Sequence, residues 1–272
     1  GGSIMSSLTR EDGKHIYYED YGSGDAAVVL VHGWGMSLRT WDYTLPPLVD
    51  AGQRVVLLDH RGCGQSSKDF ADLGIEAIAG DVVALVQHLG LQRVVLNGWS
   101  MGGAVVTAAA HLLGQRCVGL VLTCGASPCY LQKPDYAHGG TDEALAETLA
   151  AMAADRVNFL AGLAAGVFAT EVSQQVVDWM WDIFLQSSPL AAQSLADLGP
   201  LDQRATLAAL NVPILSYVGA KDEIVDPAVC RSVADYGADV TLVECPESGH
   251  APFIEEPELY LRELLGFVAA RL

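Results

Sequence analysis

The chain has 272 residues, 51% of them hydrophobic, enough for one large domain or for a core carrying an insertion. Its formal net charge of −18, from 33 acidic against 15 basic residues, argues against nucleic acid as a partner, since that needs a basic face, and disfavours an anionic membrane surface. The longest apolar runs, such as 104–110, fall short of the roughly 18 uncharged residues a membrane span requires. The residues ahead of Met5 have neither a basic region nor an apolar core. They read as an appended leader rather than a signal peptide, with Met5 as the natural start.

In chain order, the first strand expected is 14–20, whose alternating character suits an antiparallel edge. Fully apolar, β-rich runs then recur at 27–32, 55–59, 94–97, 118–124, 214–218 and 240–244, each followed by a helix-like stretch. Such alternation predicts an α/β fold, a mostly parallel sheet with helices on both faces. Functional groups on such a sheet gather at the carboxyl ends of the strands. Between about Ser127 and Pro200 the alternation stops. Helical apolar spacing replaces it: Leu145, Leu149, Met152; Leu160, Leu163, Val167; and Val176, Met180, Phe184 beside Val177, Trp181, Leu185. Pro128, Gly139-Gly140, Pro189 and Pro200 punctuate it. One crossover helix needs far fewer residues, so 128–200 is read as a helical lid and 5–127 with 201–272 as the core.

The six cysteines, Cys63, Cys117, Cys124, Cys129, Cys230 and Cys245, form no C-x-x-C and no zinc spacing, so no metal is expected. Most fall in apolar strands or helices and read as buried thiols. Cys63, in the turn Arg61-Gly62-Cys63-Gly64, is expected to be the most exposed. A reducing cytoplasm is the default location.

The chemistry centres on Ser100 in Gly98-Trp99-Ser100-Met101-Gly102, a G-x-S-x-G pattern between an apolar run and an Ala/Val-rich one. That is the spelling of a nucleophile elbow, a serine on a tight strand-to-helix turn. In a chain with 28 glycines the pattern carries little alone. A serine also needs a base, and histidine titrates near neutrality. Of seven histidines, His250 follows the last strand, on the same sheet edge as Ser100. His60 is a weak competitor at another strand end, and His32 belongs to a glycine loop. His15, His88, His111 and His138 read as surface or structural. Asp222, just after 214–218, would fix the tautomer of His250, with Glu223 and Asp226 as neighbouring rivals. The order Ser…Asp…His is the one this sheet architecture uses. The backbone N–H groups of Trp34 and Met101 are the expected oxyanion donors. Trp34, Phe159 and Trp179 are the candidates for touching substrate. Asp59 and Arg61 are expected to hold their own turn.

Five ordered segments carry a resemblance: His32-Gly33-Trp34-Gly35; Asp59-His60-Arg61-Gly62-Cys63-Gly64-Gln65-Ser66; Gly98 to Gly102; Gly219-Ala220-Lys221-Asp222; and Ser248-Gly249-His250. Together they resemble the α/β-hydrolase family over nearly the whole chain. Within it the chain is most similar to esterases related to the cofactor-free bacterial haloperoxidases. The H-G-W start, the D-x-R-G-x-G-x-S turn, the G-x-S-M-G-G elbow and the stretch 132–136 all have counterparts there. The resemblance implies hydrolysis of small esters or lactones without a cofactor, with perhydrolysis of carboxylic acids as a side reaction. Dehalogenases and epoxide hydrolases of this family attack with aspartate, whereas this elbow carries serine. The esterase that demethylates pimeloyl-acyl-carrier ester shares the Trp34-Gly35 and Trp99-Ser100 pairs. Its acidic carrier would meet a lid holding nine carboxylates against only Lys133 and Arg156. Such a lid suits a small neutral or apolar substrate. Two other readings stay open, a hydrolase-fold receptor for a small molecule and a carbon–carbon bond hydrolase of ring-cleavage products. A homo-oligomer also stays open.

Overall fold

The computed structural model describes residues 4–272, so the leader reading for residues 1–3 lies outside the described residues. The apolar runs form one eight-stranded sheet. Its strands are β1 (Met5–Thr9), β2 (His15–Tyr21), β3 (Ala26–Val31), β4 (Val55–Leu58), β5 (Arg93–Trp99), β6 (Cys117–Thr123), β7 (Ile214–Gly219) and β8 (Val240–Cys245). Their spatial order is β1-β2-β4-β3-β5-β6-β7-β8. The strands from β3 onward are parallel, and β2 alone runs against them, antiparallel to both β1 and β4. β3, β4 and β7 consist of buried residues apart from Ala26, as expected of strands covered on both faces.

One expectation needs correction. The strand predicted at 14–20 is antiparallel but is not the edge, because β1 pairs with it along five residues, Met5↔Glu19 to Thr9↔His15. β1 buries only Leu8. Its stability comes from the hydrogen-bond ladder, and a stretch held that way has no apolar run to announce it.

The outer layers comprise α1 (Leu45–Asp50), α2 (Ile75–His88), α3 (Met101–Leu113), α8 (Arg204–Ala209), α9 (Pro227–Ser232) and α11 (Pro257–Ala269). α3 is buried along nearly its whole length, since the sheet lies on one side and other helices on the other. Between β6 and β7 come α4 (Asp142–Ala154), α5 (Arg156–Gly166), α6 (Gln174–Leu185) and α7 (Ala192–Leu198). Side-chain caps start the first three: Thr141 accepts from Ala144 N, Asp155 from Asn158 N and Ser173 from Val176 N. No helix among the described residues is long and apolar enough to cross a membrane.

The turn after β4 is held from within. Arg61 places its guanidinium 2.6 Å from Asp81 Oδ1 and 3.0 Å from Glu11 Oε1, and it lies over the Phe70 ring. Asp59 accepts from Leu38 N and Gln65 N, tying the loop after β3 to the same turn. Cys63 departs from expectation here. It is 3% exposed, and burial pushes its thiol up to about 12. The cause is tertiary: the Ser188 N–H, from the segment after α6, donates to Gly62 O and covers the turn.

Candidate active site

Parallel strands in register bring their carboxyl ends to one edge. Val31 of β3 pairs with Gly98 of β5, Trp99 with Thr123 of β6, and Gly219 of β7 with Cys245 of β8. The segments that follow these strands carry His32, Ser100, Asp222 and His250, so residues far apart in sequence meet there.

Ser100 joins β5 to α3 with φ 59° and ψ −123°, a conformation that costs a non-glycine residue about 1–3 kcal/mol. The neighbourhood over-determines it. Its N–H donates to Thr123 O, and its carbonyl accepts from Gly103 N and Ala126 N. The flanking glycines are required by space. A Cβ on Gly98 would sit 2.1 Å from Gly102 O, and one on Gly102 would sit 2.4 Å from His32 O.

His250 and Asp222 are both buried, with Nδ1 and Oδ2 2.7 Å apart. The other carboxylate oxygen, Oδ1, accepts from Ile224 N and Val225 N, so Asp222 is fixed at both ends. With Nδ1–H donating to Asp222, the lone pair of His250 lies on Nε2, which is buried and makes no hydrogen bond to a protein group. Nε2 and the Ser100 hydroxyl do not hydrogen-bond to each other here, yet both residues line the same cavity. The His250 carbonyl accepts from Trp99 Nε1, which anchors the histidine loop to the residue before the serine. Glu223 and Asp226 do not reach His250, and Asp226 instead caps α9 through Ala228 N.

The loop after β3 packs on the serine: a Cβ on Gly33 would lie 3.1 Å from Ser100 Cβ. The N–H groups of Trp34 and Met101 donate to no backbone carbonyl among the described residues. Met101 opens α3, so its N–H has no intrahelical acceptor. His32 sets the other donor. Its Nε2 accepts from His60 N at 2.9 Å, so Nδ1 carries the proton and donates to Gly33 O at 2.7 Å. That carbonyl shares a planar trans peptide with the Trp34 N–H, so holding one aims the other the opposite way. His60 stacks on His32, with centroids 3.7 Å apart. Both rings are buried, both His60 ring nitrogens lack partners, and burial holds both histidines below the ordinary imidazole range.

Cys124, Asp222 and His250 place three potential metal-ligand atoms within 4.8 Å of one another. The direct 2.7 Å bond between two of them leaves no room for an ion between those atoms. Burial drives the Cys124 thiol upward, away from the thiolate a metal needs. The cluster is a hydrogen-bonded pair with a thiol neighbour.

The cavity is small, about 70 Å³, and lined mostly by apolar side chains. Trp34 and Phe159 line it. Trp34 also donates from Nε1 to Ala191 O. Trp179 does not line it, because its ring packs edge-on against Tyr43, 6.0 Å away. The periodicity of α6 turns Met180 and Phe184 inward and leaves Trp179 on the flank. Met152, Leu163 and Phe184 also line the cavity. All three occur in the apolar spacings of the lid, which was the available signal for them. Tyr130, Thr148, Ser100 and His250 are the polar members of the lining, and no Lys, Arg, Asp or Glu is among them.

A family profile described as the alpha/beta hydrolase fold matches residues 26–257. The chain is 30% identical to a non-heme chloroperoxidase of Streptomyces lividans, covering 97% of this chain and 99% of that one. It is 28% identical to a pimeloyl-[acyl-carrier protein] methyl ester esterase of Pectobacterium carotovorum, covering 94% and 99%. Its structure superposes on that of an esterase from Exiguobacterium antarcticum with a TM-score of 0.93, at 28% identity over 97% and 99% of the two chains. With the profile spanning most of the chain and the sheet in place, the chain belongs to the α/β-hydrolase family and resembles its haloperoxidase-like esterases.

Proposed function

We propose that the protein is a serine hydrolase that cleaves small carboxylic esters or lactones through an acyl-enzyme. The observation that carries this reading is the buried His250–Asp222 pair, whose free Nε2 shares a cavity with the strained Ser100. Ser100 Oγ attacks the ester carbonyl while His250 Nε2 takes its proton. Asp222 stabilises the imidazolium that results. The Trp34 and Met101 N–H groups hold the oxyanion of the tetrahedral intermediate. His250 then gives the proton to the leaving alcohol, and the acyl group stays on Ser100. A water molecule, deprotonated by His250, attacks the acyl-enzyme and releases the acid. Hydrogen peroxide in place of that water would release a peracid, which is the side perhydrolysis expected.

The uncharged lining favours a neutral, largely apolar substrate, because a carboxylate there would lose its hydration without gaining a partner. The similarity to a methyl ester esterase for a carrier-bound acid raises a second reading. The nine lid carboxylates, set against Lys133 and Arg156, oppose an acidic carrier.

The test is a fluorophosphonate label with peptide mapping, beside turnover of a panel of p-nitrophenyl esters and lactones. Labelling maps to Ser100, and Ser100→Ala lowers kcat by about 10⁴-fold or more. Turnover by Ser100→Ala at the wild-type rate would remove the assignment.

A further inference from the structure

Glu255 closes the short helix α10 (Pro252–Glu255), five residues after His250. Its carboxylate makes an unusual set of contacts. Oε2 accepts from Gly249 N at 3.0 Å and Ala251 N at 3.1 Å, the two N–H groups flanking His250. Oε1 accepts from Ala169 N at 2.7 Å and Thr170 N at 3.0 Å, and from Thr170 Oγ1 at 3.2 Å. Residues 169 and 170 belong to the segment that joins α5 to α6 in the lid. One side chain therefore divides its two oxygens between the histidine loop and the lid.

Two further contacts run the same way. The His250 N–H donates to Val167 O at 2.8 Å, so the backbone of the histidine is itself bound to the lid segment. Gly249 lies so close to that segment that a Cβ would meet Ala169 N at 2.9 Å and Val167 O at 3.0 Å. No Lys or Arg pairs with Glu255 among the described residues. Four backbone N–H groups supply the donors instead. Only an ionised carboxylate fits that set, since it accepts at both oxygens, whereas an amide accepts at one and donates at the other.

We infer that Glu255 is a positioning residue that ties the reacting histidine to the lid, so that segment 167–170 helps set where His250 Nε2 stands. The inference rests on the reading of His250 as the general base. Asp222 fixes the ring from the Nδ1 side, and Glu255 fixes the backbone that carries it. A lid that shifts at 167–170 carries the histidine loop with it, and a displaced base slows proton transfer with little effect on substrate binding.

Glu255→Gln tests this, because the amide keeps its size but can satisfy only one of the two loops. The expected result is a kcat lower by about tenfold or more on a p-nitrophenyl ester, with KM within about threefold of wild type. Amide hydrogen exchange at 169 and 170 rises together with exchange at 249 and 251. Glu255→Asp keeps the charge but is one methylene too short to span both loops. It gives the same pattern and serves if the Gln variant does not fold. A folded Gln variant with kcat within about twofold of wild type overturns the inference, as does exchange that rises on one loop alone. If the wild-type protein itself turns over no ester, the hydrolase reading fails, and the paired exchange at the two loops still decides whether the tie exists.

Discussion

The strand-end edge and the helical segment between β6 and β7, the proposed lid, are held together by different means. At the edge Ser100, Asp222 and His250 are pinned through the backbone. Ser100 makes three backbone hydrogen bonds, Asp222 accepts from two N–H groups as well as from His250, and the His250 carbonyl is bound by Trp99. The helices α4 and α5 of the lid bury only Met152, Leu160 and Ala164 and turn most of their surface to solvent. The residues proposed to react therefore stand on the sheet, held by its backbone. Much of the cavity's apolar lining stands instead on the helical segment between β6 and β7, whose α4 and α5 are packed less deeply.

After loss of the Ser100 hydroxyl, the largest expected effect sharpens the account of the rigid edge. If His32 aims the Trp34 N–H by holding Gly33 O, substitutions that keep one ring contact and lose the other must behave differently. His32→Asn can still donate near the Nδ1 position and loses the acceptor for His60 N–H. His32→Gln can still accept near the Nε2 position and loses the donor to Gly33 O. The Gln variant is expected to lose about 10- to 100-fold in kcat, with the Asn variant within about fivefold of wild type, since one oxyanion donor is worth about 10²–10³. Steady-state kinetics on one activated ester checks this, and equal losses in the two variants would reduce His32 to a packing role.

A smaller effect, on stability, comes from the same buried rings. Burial lowers His32 to about 3 and holds His60 well below its ordinary value. Both are neutral in the folded protein and would take up protons near 6.5 once unfolded. Their contribution to stability is thus present above pH 6.5 and lost as pH falls toward their folded values, by about 1.4 kcal/mol per pH unit for each fully linked group. Asp59 works the other way. Burial raises it to about 6, so its contribution is greatest below its ordinary value and is lost as pH rises through 6. Two histidines outweigh one aspartate, and stability should fall between pH 6.5 and 5. His60→Phe keeps a ring stacked on His32 and removes two unpartnered nitrogens, so the fall should flatten while stability at pH 7 stays within about 1 kcal/mol. Urea unfolding at three pH values measures this, and an acid slope unchanged in the variant would assign the loss to other groups.

The same contrast explains what could be read from the residue string. The sheet, and the meeting of Ser100, Asp222 and His250 at one edge, are legible because each of these residues sits within a few residues of an apolar strand, and parallel strands deliver their ends to one place. β1 escaped, since Met5–Thr9 is held by its pairing with β2 and buries only Leu8. Cys63 looked exposed because its turn is glycine-rich, and the Ser188 contact that covers it comes from residues more than a hundred positions away. The Glu255 tie was invisible for the same reason: it joins residue 255 to residues 169 and 170, more than eighty positions away. Apolar spacing marked the helices between β6 and β7 but could not say which stripe faces the cavity and which faces a neighbouring helix.

Phe159 and Trp179 turn that last point into the smallest of the expected effects and the one that tests the lid directly. Both are partly buried aromatics on lid helices, and sequence alone treats them alike. Phe159 lines the cavity beside Leu163, whereas Trp179 packs on Tyr43, which is 46% exposed. Truncating Phe159 to Ala should remove about 1 kcal/mol of contact with a bulky acyl group, roughly fivefold in KM, with little change in kcat. The effect should fade on an acetyl ester, whose acyl group is too short to touch the ring. Trp179→Ala should leave KM for both esters within about twofold and act instead on thermal stability through the lost Tyr43 contact. Kinetics of the two variants on a short and a long ester separates these outcomes. A larger KM change from Trp179→Ala than from Phe159→Ala would mean that substrate enters along the Tyr43 flank of α6, and that the lid chooses substrates at its rim rather than in the cavity beneath it.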